Sequence, residues 1–223
     1  MSTYLAIDIG ASNGRHVIGE IQASGQLVIR EIYRFPNQTI NEGERLIWDV
    51  DALFVHVLEG LKEAKRQGYE PETIGIDTWA VDYALLDAAG ERLDAVVAYR
   101  DERTQGMPAK VEAQLAYRSI YERTGCQQQS FNTMYQLLAV KETHPEQLEQ
   151  ASHLLMVPDY LNYLLTGQRM QEYTNATSTG LVNLESQTWD LELIRQLGLP
   201  ETLFGPLSLP GTVVGELTAE VVE

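Results

Sequence analysis

Apolar and polar positions alternate with a period of two through three early stretches, Thr3–Ile9, His16–Gln22 and Leu27–Phe35. Such alternation marks half-buried β-strands. Tight turns join them, the second built on Ser24-Gly25-Gln26. The polar stretch from Pro36 to Arg45 reads as a loop, and Leu46–Val50 as a short strand or extended entry to a helix. Leu53, Phe54, Val57, Leu58, Leu61 and Ala64 then recur at helical spacing, with Asp51 as the expected N-cap and Gly68 closing the helix. Thr73–Asp77 follows as a short buried strand. Meander, helix and strand in that order predict an α/β domain whose mixed sheet has an antiparallel start.

The rest of the chain continues in the same manner. Ala88–Glu91 is a hairpin turn, and Ala109–Leu115 and Ser119–Arg123 are helical in pattern, ended by Gly125. Gln127–Leu137 leads into another helix, with Met134, Leu137 and Leu138 as its core stripe. His144-Pro145 breaks the chain, His153–Met156 is a strand, and a helix with Pro158 in its first turn runs to Gly167. Trp189–Leu197 reads as the final helix, Pro200–Gly211 as a connecting loop and Val213–Leu217 as a last strand.

At 223 residues the chain suits one large domain or two small ones. Its formal net charge of −16 argues against nucleic acid and against an anionic membrane surface as partners. No apolar stretch approaches the roughly 18 residues that span a bilayer, and no signal peptide is evident. The single cysteine, Cys126, allows no intrachain disulfide, so a reducing, cytoplasmic setting is expected. His16, His56, His144 and His153 show no metal-ligand spacing, and no Gly-x-Ser-x-Gly elbow is present.

Candidate chemistry begins at Tyr4–Ile18, where an apolar run ends in Asp8 and a turn of small residues follows between Gly10 and Gly14. The glycines can take positive φ and admit a ligand close to the backbone. Turn amides of Ala11, Ser12, Asn13 and Gly14 can form an anion nest, Arg15 adds a fixed positive charge, and Asp8 could hold a hydrated Mg²⁺. There is no Gly-Lys-Ser/Thr, and the turn opens a strand rather than a helix, which excludes the Walker and Rossmann loops. An ordinary hairpin turn with a surface Asp fits the same residues. Further on, Gly75–Asp87 carries Trp79, an apolar plate, and Asp82, an acceptor for hydroxyls, although a packed Trp beside a solvated Asp would look the same.

Asp8-Ile9-Gly10-Ala11-Ser12-Asn13-Gly14-Arg15 resembles the first phosphate motif of sugar kinases in the actin/hexokinase superfamily. Later motifs resemble the FGGY family of carbohydrate kinases, and within it the branch that phosphorylates L-rhamnulose. They are Gly75–Asp87, the Tyr99-Arg100-Asp101-Glu102-Arg103-Thr104 run, Phe131-Asn132-Thr133, Asp159-Tyr160-Leu161-Asn162-Tyr163-Leu164-Leu165-Thr166-Gly167 and Glu172–Gly180. The resemblance implies an actin/hexokinase-like (ribonuclease H-like) domain, its mixed sheet flanked by helices. Residues 1–217 would form the N-terminal sugar-binding domain, and 218–223 would begin the connection to a C-terminal domain.

It further implies ATP and Mg²⁺ as cofactors, with phosphate contacts from Ala11, Ser12, Asn13, Gly14 and Arg15, and Asp8 on the metal through water. Sugar contacts would come from Trp79, Ala80, Asp82, Tyr99, Arg100 and Phe131. Ala80 stands where the family usually has glycine, which adds a methyl group beside the pocket. The general-base aspartate would lie beyond Glu223, in the C-terminal domain, leaving this chain nearly inactive alone. Another FGGY ketose kinase (a ribulokinase or fuculokinase) and a non-catalytic sugar-sensing domain are the alternative readings.

Overall fold

The computed structural model describes residues 2–222. The chain divides into two compact units. Met1–Ile40, Trp48–Trp79 and Leu217–Glu223 make the first, and Asn41–Ile47 with Ala80–Glu216 the second.

In the first unit, β1 (Ser2–Ile9), β2 (Asn13–Ile21) and β3 (Leu27–Pro36) form the antiparallel meander that alternation predicts. Leu5, Ile7 and Ile9 are buried while Ala6 is exposed, the period of two made physical. The stretch read as a polar loop instead contains β4 (Thr39–Glu42) and the start of β5 (Arg45–Trp48), separated by Gly43 at φ 63°. β4 is mostly exposed and needs no apolar alternation, so its polarity hid it. Helix α1 (Val50–Arg66) buries Leu53, Val57, Gly60 and Ala64. Its N-cap is Asp49, not Asp51: the Asp49 carboxylate accepts the Ala52 N–H at 2.9 Å, and Asp51 sits in the first turn, where negative charge suits the helix dipole. Strand β6 (Thr73–Thr78) returns parallel to β1, giving the order β3-β2-β1-β6.

In the second unit, β7 (Tyr83–Leu86) and β8 (Val96–Val97) are followed by α2 (Met107–Glu112) and α3 (Tyr117–Thr124), the latter closed by Gly125 at φ 63°. Helix α4 (Thr133–Thr143) lies in the core, buried at every position from Thr133 to Leu137, more widely than one stripe requires. His144-Pro145 ends it but also starts a further helix, α5 (Pro145–Gln150). Strand β9 (His153–Met156) pairs antiparallel with β7, and α6 (Val157–Thr166) ends at Gly167 as expected. Two-residue strands β10 (Gln171–Glu172), β11 (Val182–Asn183) and β12 (Thr188–Trp189) come next, with the short α7 (Tyr173–Ala176) after the first of them. Trp189 is thus a strand residue, and α8 (Leu191–Gln196) starts after it, capped by Asp190. Val213–Leu217 is not a strand: among the described residues no backbone pairs with it, and Val213 is exposed. The last element, α9 (Ala219–Val222), belongs to the first unit. No helix among the described residues is long and apolar enough to cross a membrane.

Candidate functional site

The turn between β1 and β2 is held by its own backbone. Gly10 N–H donates to Asn13 O at 2.9 Å, and Asn37 donates from its amide side chain to Gly10 O and from its backbone to Ser12 O. Among the described residues none of these bonds uses the Ala11 or Ser12 N–H, so those two amides are available to an acceptor. Asn13 differs, since its side-chain oxygen accepts from Arg34 at 2.7 Å. Neither Gly10 nor Gly14 has positive φ, contrary to the use first given to them. Gly14 is required by packing: a Cβ there would sit 2.1 Å from the Phe35 ring.

Strand register sets the charges beside this turn. Arg34, Arg15, Asp8 and Asp77 occupy one row across β3, β2, β1 and β6. Arg15 donates to Asp8 at 2.7–2.8 Å, an ion pair nearly half exposed and worth about 0–1 kcal/mol. The place of Asp77 next to Asp8 comes from the parallel pairing of β1 with β6. Asp77 is an exposed residue, yet local desolvation by its neighbours, and then the Asp8 charge, raise its carboxyl pKa. Two adjacent carboxylates, one of them held above its ordinary range, form a donor set of the hard-oxygen kind that a hydrated divalent cation would relieve.

The second unit organises the residues read as sugar-facing. Val81 has φ 69°, a conformation that β-branched residues rarely adopt and that surrounding structure must enforce. Its carbonyl accepts from Thr133 Oγ1 at 2.7 Å and Gln136 Nε2 at 3.2 Å, and its N–H donates to Ser178 Oγ at 3.2 Å. Asp82, read as an acceptor for sugar hydroxyls, is fully buried. Its carboxylate accepts from the Tyr99 N–H and from Gln136 Nε2, each at 3.0 Å. The residue therefore anchors the backbone of Tyr99.

Tyr99, Arg100 and Phe131 are brought together: the Tyr99 and Phe131 rings meet edge-on at 5.5 Å, and Arg100 Nε donates to Tyr99 Oη at 3.0 Å. Ala80 is exposed. Trp79, in the first unit, packs on Trp48 with ring centroids 4.1 Å apart. The hydroxyls of Thr177, Ser178 and Thr179 bond to carbonyls three residues back, as capping residues would, with Ser178 also serving Val81. Cys126 is half-buried, and burial raises its thiol pKa, consistent with packing.

Gln136, which sequence reasoning passed over as a helix residue, joins these parts. Its amide nitrogen serves Val81 O, Asp82 Oδ1 and Phe131 O, and its oxygen accepts from Arg103 Nη2 at 2.6 Å. Gln136→Leu keeps the volume but strands buried polar partners, so urea denaturation should show a loss of about 2 kcal/mol. A loss near zero would mean the network is not holding the segment.

Residues 3–223 match the N-terminal domain of the FGGY family of carbohydrate kinases. A rhamnulokinase of Oceanobacillus iheyensis is 47% identical over 219 residues, covering 98% of this chain and 46% of that protein. One of Bacillus subtilis is 44% identical over 217 residues, covering 97% and 44%. Among solved structures, a gluconate kinase from Lactobacillus acidophilus aligns with TM-score 0.88 at 21% identity, over 99% of this chain and 44% of that one. A glycerol kinase from Plasmodium falciparum, solved with ADP, aligns with TM-score 0.78 at 17% identity, over 100% and 46%. These two share the fold expected from the sequence, an α/β domain whose mixed sheet is led by antiparallel strands. The chain spans about half the length of the curated relatives it matches.

Proposed function

The chain belongs to the FGGY family of carbohydrate kinases, and from that premise we propose that it supplies the sugar-holding surface and part of the phosphate-holding surface of an enzyme transferring the γ-phosphoryl group of ATP to L-rhamnulose. The product is L-rhamnulose 1-phosphate. One observation carries the phosphoryl-transfer reading: Asp8, Asp77 and Arg15 share a row beside a turn with two available amides. The sugar is chosen by the 44–47% identity to proteins called rhamnulokinase.

In this reading the Ala11 and Ser12 amides, with Asn13, Gly14 and Arg15 around them, receive phosphate oxygens. Arg15 turns from Asp8 toward the nucleotide as it does so, a small cost for an exposed pair. Asp8 and Asp77 would hold a hydrated divalent cation, Mg²⁺, whose charge offsets that of the phosphoryl group in transfer. Tyr99, Arg100, Phe131 and Ala80 contact the sugar, and Asp82 keeps Tyr99 in place. The general-base aspartate and the adenine contacts are assigned to a C-terminal domain outside this chain, so turnover by this chain alone should be negligible.

Calorimetric titration tests the choice of sugar. L-Rhamnulose should bind this chain more tightly than L-ribulose or L-fuculose. A reversed ranking would move the assignment to another ketose kinase, and measurable kinase turnover by the isolated chain would overturn the division of labour.

A further inference from the structure

Val81 keeps a left-handed conformation, φ 69°, that strains a β-branched residue and that glycine would adopt freely. The second unit devotes three side chains to keeping it there. Thr133 Oγ1 and Gln136 Nε2 donate to its carbonyl oxygen at 2.7 and 3.2 Å, and its N–H donates to Ser178 Oγ at 3.2 Å. Thr133 and Gln136 are buried on α4, and Ser178 belongs to the helical turn Thr177–Thr179 that follows α7. Two separate elements thus grip one residue from its two ends.

The residue after Val81 is fixed as firmly. Asp82 O accepts the Val157 N–H at 3.1 Å, and the Asp82 carboxylate accepts from the Tyr99 N–H and from Gln136. The residue before it is not fixed in this way. Ala80 is exposed, and among the described residues no hydrogen bond uses its N–H or C=O. With Asp82 pinned, a change in the φ of Val81 is taken up by Ala80. A fall to an ordinary helical value of about −60° would turn Ala80 through about 130° about the Val81 N–Cα bond. Strain of this kind persists only where the surroundings over-determine it, and it gathers where a ligand meets a fixed backbone.

We propose that Thr133 and Ser178 are positioning residues for the acceptor sugar: by holding Val81 left-handed, they fix the direction in which Ala80 meets it. The inference rests on the reading of Ala80 as a sugar contact, and it adds two residues that act through Val81. Gln136 ties the same grip to Tyr99, because its amide nitrogen serves both Val81 O and the Asp82 carboxylate that anchors the Tyr99 backbone. Ala80 and Tyr99 are thereby set from one point. If these side chains only stabilised the fold, their loss would lower stability and leave the sugar affinity of the folded chain unchanged.

The test is calorimetric titration of the chain with L-rhamnulose, L-ribulose and L-fuculose, with circular dichroism to show that each variant is folded. Thr133→Val keeps the shape of the side chain and removes the hydroxyl. It should weaken binding of the preferred ketose roughly tenfold, as the fraction of chains with Val81 left-handed falls to about a tenth. Thr133→Ser keeps the hydroxyl and should bind as the wild type does. Adding Val81→Gly to Thr133→Val should recover most of the loss, because glycine takes positive φ unaided. An unchanged affinity in Thr133→Val, or a double variant that binds no better than Thr133→Val, overturns the proposal while the sugar reading stands. So does a crystal structure of Thr133→Val with Val81 still at positive φ. A wild-type chain that binds none of the three ketoses overturns the sugar reading and this proposal with it. Should Thr133→Val not fold, Ser178→Ala loosens the grip from its half-buried end, and the same outcomes decide.

Discussion

Gly14→Ala is expected to cost about 3 kcal/mol, the upper end of what overpacking a well-filled site does, while Gly10→Ala four residues earlier should change stability by no more than about 0.5 kcal/mol. The added methyl at Gly14 would lie 2.1 Å from Phe35 Cζ and 2.6 Å from both flanking ring carbons. It therefore meets the end of the ring head-on, and the ring has nowhere to go. Phe35 is 2% exposed, stacks on His56 at 4.6 Å with an interplanar angle of 8°, and has Tyr33 at 5.9 Å and His16 at 6.1 Å. At Gly10 the nearest atom to a new Cβ is Asn13 O at 3.5 Å, an ordinary contact, and neither glycine has positive φ to add strain. Urea unfolding of both variants decides the matter. Equal losses would show that the turn needs glycine for backbone freedom, and that contact with Phe35 is not what selects it.

That contrast locates what a sequence can and cannot disclose. The meander was legible because one sheet face is buried, so Leu5, Ile7 and Ile9 had to alternate with polar or small residues. Helix α1 was legible from its apolar stripe. The meaning of Gly14 was not, because the ring that demands it is Phe35, its cross-strand partner in β3. Asp77 became a neighbour of Asp8 only through parallel pairing across an intervening helix. Tyr99, Arg100 and Phe131 were singled out by residue type alone, and the structure brings the three side chains together. At Asp82 the sequence leaves two uses open, since a carboxylate suits a ligand contact and a buried anchor equally; the structure shows the residue fully buried. The strand expected at Val213–Leu217 shows the same limit, since β-propensity makes no strand without a neighbour to pair with.

Asp159→Asn should carry a large pH-dependent effect between about pH 4 and about pH 7. Asp159 lies in the first turn of α6 and is 4% exposed. The groups acting on its carboxyl are the backbone N–H of Glu172, at 3.3 Å, a backbone contact to Met156 and the Glu172 carboxylate, with no cation among them. Burial dominates and pushes the pKa from its ordinary 3.8 up to about 7. A raised pKa means the folded chain holds a proton that the unfolded chain gives up. The group's contribution to stability is therefore full below about pH 4 and declines by about 1.4 kcal/mol per pH unit until about pH 7, then stays level. Over that window the loss is on the order of 4 kcal/mol. Asparagine is uncharged throughout and keeps an oxygen for the Glu172 N–H, so it escapes the decline. His16 works in the opposite direction: burial lowers its pKa to about 4, and its contribution is lost as pH falls below its ordinary 6.5. That slope is common to both proteins and cancels in their difference. Urea unfolding of wild type and Asp159→Asn from about pH 4 to about pH 8 should thus show the variant gaining steadily on the wild type and then running parallel to it. A difference that does not change with pH would mean that Asp159 is ionised in the folded chain at its ordinary pKa, and that the first turn of α6 accommodates the charge.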